Sequence, residues 1–461
     1  MILRYSIDLP TLQSIVGKDN VSTRASDLEA HSIDESCVAP CLPDAVVWPG
    51  NTQQISDILR YAYENEIPVV PWSGGSSLEG NPVPINGGIL LAMYRLKEVL
   101  NVNEDDLQVT VQPGIIYDDL NAHLRRLGLF FPPAPGSADV ATLGGMVANN
   151  SSGMHAVKYG VTRNYVMQLK CVLPNGEIVD IGSRAKKSTS GYDLVSLMVG
   201  SEGTLGVVTE ITLRLMGLPE QVSSAIAVFD TLKDATDAVY DAVRYGVDAA
   251  AIELLDGGCV RVTNEQMGLN LRETPTVFYE FHGPMAGVQD QVTYMREINA
   301  DHNCVEFDVA GTPERRAVLW AARREARDSI KLSHAGEILV SGDVCVPISH
   351  FGEMVEFVHE VAARTGLRIY VFGHAGDGNL HTETILRRNN EEDARLGDQA
   401  TNEIVRRALA LGGTIAGEHG VGLAKKAFLL EEHGPEAVAL MQAIKQVFDP
   451  KGIMNPGKIF A

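Results

Sequence analysis

Residues 135–166, PGSADVATLGGMVANNSSGMHAVKYGVTRNYV, run for more than thirty positions dense in Gly, Ser and Asn, with little charge. Such a stretch makes a poor core, because its many backbone groups need partners. It also makes a poor linker, because too many of its residues are apolar. A large buried polar ligand would satisfy both demands. Two shorter loops share this texture. In VPWSGGSSLEG (70–80), Gly74 and Gly75 follow an apolar strand and permit a sharp turn with positive φ. Free N–H groups there, with the hydroxyls of Ser76 and Ser77, can nest a phosphate. Taken alone, this loop reads first as an ordinary Gly/Ser turn, since it matches neither GxGxxG nor a Walker loop. GSEGTLGVVTE (200–210) again sets small residues beside a strand. Three separated small-residue loops in one half of the chain imply one extended ligand, with phosphates and a planar ring, touched at several points.

At 461 residues the chain exceeds one ordinary domain, so two or three are expected. A formal net charge of −21 disfavours nucleic acid and anionic membrane surfaces as partners. The six cysteines form no CxxC pair, which argues against an iron–sulfur cluster or a cysteine-rich zinc site and fits a reducing cytosol. The start, MILRYSIDLPTLQSIV, lacks the basic-then-apolar layout of a signal peptide. No run reaches the ~20 apolar residues of a membrane span. The expectation is a cytoplasmic protein, with peripheral docking to a membrane partner left open. Strand and helix patterns mix through the first half, including a hairpin at 168–182 turned at Pro174-Asn175-Gly176. From about residue 220, strand–helix alternation predicts an α+β domain.

FGHAGDGNLHTETI (372–385) places His374 and His381 on either side of a glycine turn between two apolar strands. A hairpin there sets the imidazoles side by side. Two such histidines can simply cap strand ends, or they can hold a metal. TIAGEHGVG (414–422) offers Glu418 and His419 as further donors. Adjacent side chains on an extended segment point opposite ways, so one can ligate while the other faces elsewhere. His and carboxylate ligands suit Zn²⁺, with Mn²⁺ or Fe²⁺ as alternatives. Asp377 is read as shaping its turn, and the other histidines as ordinary. VLWAARREARDSIK (318–331) predicts one helix with Arg323, Arg327 and Lys331 on one face.

SGGSSLEG, the 135–160 stretch, GSEGTLGVVTE, GHAGDGNLH, GEHGVG and DPKGIMNPGKIF occur in one order over about residues 40–461. Together they resemble the flavin-dependent D-2-hydroxy acid dehydrogenases of the vanillyl-alcohol-oxidase-type FAD family. VSGDVCVPIS (340–349) is most similar to the cytochrome-type D-lactate dehydrogenases within it, near the FAD subunit of glycolate oxidase. The resemblance implies an α+β fold with a two-subdomain FAD-binding domain, an α+β cap and a C-terminal segment returning to the flavin. The boundaries expected are 1–38 for an N-terminal segment, 39–218 for the FAD-binding domain, 219–410 for the cap with its metal hairpin, and 411–461 for the closing segment. It implies that Ser73, Gly74, Gly75, Ser76 and Ser77 hold the pyrophosphate. It also implies that Pro135, Gly136, Ser137, Thr142, Gly144, Gly145, Asn149, Ser151, Ser152, Glu202 and Val207 line the FAD, with Asn455 near the ring. No histidine lies in 72–81, so the FAD is expected to be non-covalent. His374, His381 and Glu418 match the family's metal ligands, His419 its base, and Arg323 its substrate-binding arginine.

The implied reaction oxidises a D-2-hydroxy acid, D-lactate first, to the 2-oxo acid. The metal orients the hydroxyl, His419 removes its proton, and a hydride passes to FAD N5. The expected electron acceptor is a cytochrome, a quinone or an electron-transfer protein, and a homodimer or a partner subunit is compatible with the chain. Glycolate, D-2-hydroxyglutarate, the FAD subunit of a multi-chain glycolate oxidase, and a flavin-free metallohydrolase stand as alternatives.

Overall fold

The computed structural model describes residues 5–460; the amino-terminal expectation falls partly on residues 1–4, outside them. The chain divides into two compact units. The first is Met1–Ser152, Val161–Leu218 and Glu418–Ala461; the second is Gly153–Gly160 and Pro219–Gly417.

The first unit holds two sheets. In one, Ala45–Val47, Ile89–Ala92 and Val69–Trp72 run parallel in that order, with Val21–Ser22 antiparallel at one side. Parallel neighbours need a crossover, and helix Thr52–Glu64 supplies it. The Asn51 side chain accepts from the Gln54 N–H to start this helix. Ile55, Ile58, Leu59 and Ala62, at helical spacing, are buried on the sheet side. Each of the larger three stabilises the unit by ~1.5–3 kcal/mol. The other sheet is antiparallel, in the order Val99–Asn103, Gln108–Val111, Val207–Arg214, Val166–Val172, Ile178–Gly182, the last two strands forming the hairpin read from 168–182.

The C-terminal segment belongs to the first sheet. Helix Leu429–Phe448 kinks at Gly434, ahead of Pro435. The Asp449 carboxylate then accepts from the N–H groups of Ile453 (3.1 Å) and Met454 (2.8 Å), turning the chain. Val69 N–H donates to Ile453 O and Asn455 N–H to Val69 O, both at 2.8 Å. The free edge of strand Val69–Trp72 is thereby paired.

The second unit is built on a seven-stranded antiparallel sheet, ordered Glu306–Val309, Gln221–Val228, Thr276–Gly283, Ala249–Leu255, Arg368–Gly373, Asn379–Leu386, Ile338–Cys345. Helices Gly257–Met267, Pro313–Arg324 and Ala326–Ser333 pack through Val260, Trp320 and Ile330 onto a face carrying Phe278 and Phe372. On the opposite face Tyr279 donates its hydroxyl proton to Asn299 of helix Met285–Asp301 at 2.9 Å. Coverage on both faces explains why Ala249–Leu255 and Asn379–Leu386 are buried at every position. It also means that any charged side chain in these strands needs a partner.

The expected single helix at 318–331 is two, meeting at Glu325 (φ −80°, ψ 4°). No Gly or Pro marks the break. Its effect is that Arg323 and Arg327 reach carboxylates on different strands, while Arg324 and Lys331 face solvent.

The histidine hairpin depends on its glycines. Gly378 has φ +73°, and a Cβ there would lie 2.1 Å from Val346 O. Gly378→Ala is expected to destabilise the protein by at least ~2 kcal/mol, read as a lowered urea midpoint at unchanged slope.

Candidate active site

The small-residue loops of the first unit approach one another through positions where a side chain would collide. A Cβ on Gly74 would meet Val140 O at 2.6 Å, one on Gly75 the Trp72 indole at 2.6 Å, and one on Gly144 the Pro113 ring at 2.7 Å. Thr142 caps helix Leu143–Asn149 by accepting from the Gly145 N–H, and its hydroxyl bonds that of Ser73. The Gly-Ser loop and this helix start therefore form one backbone-lined cradle. The Ser77 hydroxyl donates to Asp34 at 2.9 Å, and the Gly80 N–H donates to the same oxygen at 2.9 Å. Ser151 O accepts from Thr162, Pro135 is buried, Gly136 is exposed, and Ser137 O accepts from Val140 and Ala141. Val207 packs into the core around Val69 and Leu91.

The closing segment is tied to the same loops. Glu202, buried and with φ +52°, accepts through its carboxylate from Val421 N–H (2.7 Å), Gly422 N–H (3.0 Å) and the Asn81 amide (2.8 Å). Burial raises its carboxyl pKa above the ordinary value, against the opposing pull of these hydrogen bonds. Asn81 and Asn149 donate to the His419 carbonyl at 3.3 and 3.2 Å, which fixes that backbone. Glu79 Oε1 lies 3.5 Å from His419 Nδ1 and 2.9 Å from Lys425 Nζ. Ser152 donates to Glu418 Oε2 at 2.7 Å. The Asn455 amide donates to Asn81 O (3.0 Å) and Glu202 O (2.7 Å).

In the second unit the rings of His374 and His381 stand perpendicular, centroids 5.1 Å apart. His374 Nδ1 bonds both oxygens of Glu253, at 2.8 and 3.0 Å. Glu253 is fully buried and also pairs with Arg323 Nη2 at 2.5 Å. A carboxylate on Nδ1 selects the tautomer that presents a lone pair at Nε2, the usual outer support of a metal-binding imidazole. The buried Arg323 guanidinium stacks over Phe372, and among the described residues its Nε makes no hydrogen bond. An orphaned buried N–H beside an ion pair fits an incoming carboxylate. His381 Nδ1 lies 3.6 Å from Asp343, whose oxygen accepts from the Asn379 amide at 2.7 Å. Glu383 takes Arg327 Nε at 3.1 Å and the Ser341 hydroxyl at 2.9 Å. A Cβ on Gly417 would lie 2.2 Å from the Asn379 amide, so only glycine fits beside the hairpin. Glu418 is the next residue along the chain.

Glu253, Glu79, Asp34 and Asp343 are absent from the sequence-derived set. Glu253 did leave a signal, as the lone charge in the apolar strand AAAIELL. Glu79 and Asp34 sit in polar surroundings that look unremarkable in one dimension, and Asp343 lies within the VSGDVCVPIS segment without having been singled out there.

The description "FAD linked oxidases, C-terminal domain" matches residues 218–459, and "FAD binding domain" matches 43–182. The chain belongs to the FAD-linked oxidases and is an FAD-dependent enzyme of hydroxy acid oxidation. This sets aside the flavin-free hydrolase. It is 40% identical to the mitochondrial D-lactate dehydrogenase [cytochrome] of Arabidopsis thaliana, over 96% of this chain and 78% of that protein. To the glycolate oxidase subunit GlcD of Bacillus subtilis it is 36% identical, over 98% and 96%. Two solved structures superpose with TM-scores of 0.81, each covering 98% of this chain and 96% of the other. They are the 4-ethylphenol oxidase of Gulosibacter chungangensis (16% identity) and p-cresol methylhydroxylase (15%). The fold is that of the vanillyl-alcohol-oxidase-type FAD enzymes, an α+β architecture. Among the described residues no helix is long and apolar enough to cross a membrane.

Lys458 gives this region a pH signature. Its ammonium donates to Val83 O (2.7 Å) and Asn455 Oδ1 (3.2 Å), and burial pushes its pKa from 10.5 down to about 8. Between those values the unfolded chain holds a proton that the folded protein has lost, so this group adds stability as pH rises. Compared with Lys458→Met in urea titrations, the wild type is expected to gain ~3 kcal/mol as pH rises through that window, a slope of about 1.4 kcal/mol for each whole step in pH.

Proposed function

We propose that the enzyme oxidises a small D-2-hydroxy acid, D-lactate before glycolate, to its 2-oxo acid. We propose further that His374, His381 and Glu418 hold a divalent metal, with Zn²⁺ favoured and Mn²⁺ or Fe²⁺ as alternatives. The observation that carries this reading is the buried Glu253 carboxylate bonded on one side to His374 and on the other to Arg323. It readies one imidazole to bind a cation and sets a guanidinium beside it to bind an anion. A 2-hydroxy acid presents both needs, as a hydroxyl and a carboxylate on adjacent carbons.

FAD, when bound, accepts the C2 hydrogen with its two electrons; the Ser73–Ser76 loop and the start of helix Leu143–Asn149 would hold its phosphates. The metal would supply Lewis acidity that makes the substrate hydroxyl easier to deprotonate. Arg323 binds the substrate carboxylate through its unpartnered Nε edge. His419 takes the hydroxyl proton at Nε2, while Glu79, 3.5 Å from Nδ1, steadies the imidazolium that forms. Arg327 pairs through Nε with Glu383 at 3.1 Å.

An external acceptor, a cytochrome, a quinone or an electron-transfer protein, then takes the electrons. Names of relatives support this: several are cytochrome-type dehydrogenases. The Bacillus relative, named as an oxidase subunit, supports a second reading in which this chain works with partner subunits on glycolate.

Anaerobic bleaching of the purified flavoprotein tests these readings together. D-Lactate should bleach fastest among D-lactate, L-lactate, glycolate and D-2-hydroxyglutarate. Metal removal should slow bleaching at least tenfold, with recovery on Zn²⁺ addition, and His419→Ala should slow it by ~10²–10⁴. Equal bleaching by L-lactate, or indifference to verified metal loss, overturns the mechanism; glycolate ahead of D-lactate favours the subunit reading.

A further inference from the structure

A second imidazole–carboxylate cluster lies in the second unit, and the reaction above makes no use of it. Glu280 and His282 alternate on strand Thr276–Gly283 and so share one face, and His155 comes from the Gly153–Gly160 segment. His155 Nε2 and His282 Nε2 approach the same oxygen, Glu280 Oε1, at 3.1 and 2.7 Å. Their rings are 5.3 Å apart at 69°, and one donor atom from each of the three residues lies within 4.8 Å of the others. Glu280 and His282 are only 8% and 6% exposed. We propose that His155, Glu280 and His282 bind a second divalent metal, of the Zn²⁺ class, that fastens the Gly153–Gly160 segment to its sheet.

Three features favour an ion over a plain hydrogen-bonded trio. First, among the described residues no Lys or Arg pairs with Glu280. The nearby Lys158 is committed to Asp248 and to the His282 carbonyl, at 3.2 Å from the latter. The ion-pair partners of Glu280 among the described residues are His155 and His282, which carry charge only when protonated; a metal would supply the positive charge with both imidazoles neutral. Second, the outer contacts are those of a supported ligand set. The Tyr159 hydroxyl bonds His282 Nδ1 at 2.8 Å and can donate or accept there, so it holds the ring in place from the side away from Glu280. Ser224 donates to Glu280 Oε2 at 3.3 Å and itself accepts from Trp320 Nε1 at 2.8 Å, which fixes the carboxylate's other oxygen. Third, bonds of 2.0–2.1 Å to a tetrahedral Zn²⁺ separate ligand atoms by ~3.3 Å. The two nitrogen–oxygen spacings reach that value by lengthening roughly 0.2 and 0.6 Å, and the two nitrogens lie within 4.8 Å of each other.

The test is a metal count on the holoenzyme, loaded with Zn²⁺ or Co²⁺ and freed of loosely bound ion, with circular dichroism and flavin content as checks on folding. Two ions per chain are expected in the wild type, and one in His155→Ala, in the near-isosteric Glu280→Gln, and in His374→Ala. Glu280→Gln keeps the test decisive if His155→Ala misfolds. A count unchanged by both His155→Ala and Glu280→Gln, whether one or two, overturns the second site, as does a count of zero. A single ion lost from Glu280→Gln but kept in His374→Ala would uphold this site and overturn the proposed catalytic metal.

Discussion

Glu253 sits fully buried in the middle strands of a sheet covered on both faces, where a lone carboxylate would be strongly destabilising. Its two partners, His374 and Arg323, are buried as well and come from different parts of the chain. Each of the three satisfies a need that the others create. Removing one member leaves the remaining charges without solvent or counter-charge, a loss of several kcal/mol for pairs of this kind. The unit therefore has reason to keep the group intact, and the group fixes the directions of an imidazole and a guanidinium to within a rotamer. The proposed chemistry draws on that rigidity.

The first unit reaches its form differently. Its cradle is made of backbone, brought close because Gly74, Gly75 and Gly144 carry no side chain. Charged residues there serve the backbone itself: Glu202 holds Val421 and Gly422, Asp34 holds Gly80, and Asp449 turns the chain at Ile453. Small residues shape the loops and carboxylates tie them down. That division explains how loops so rich in Gly, Ser and Asn are held in place.

Much of this was legible in one dimension. The apolar strands, the Pro174-Asn175-Gly176 hairpin and the histidine hairpin follow from local pattern and turn chemistry. The ordered glycine motifs identified the FAD family. What escaped is non-local. Glu253 shares no motif with His374, and only the sheet brings strand Ala249–Leu255 beside Arg368–Gly373. The helix at 318–331 changes direction at Glu325 without any breaker residue, so periodicity ran straight through it. The bond from the Ser77 hydroxyl to Asp34, a residue more than forty positions earlier, is likewise invisible in local pattern. Neither His155 nor His282 stood out, because the contact between them joins residues over a hundred positions apart.

The pairing of Val69 with Ile453 and Asn455 bears on how the molecule is made. During synthesis, strand Val69–Trp72 leaves the ribosome nearly four hundred residues before the segment that covers its edge. All strands of the second unit's sheet are translated in that interval, so this sheet can close while the nucleotide-binding half still waits for its last piece.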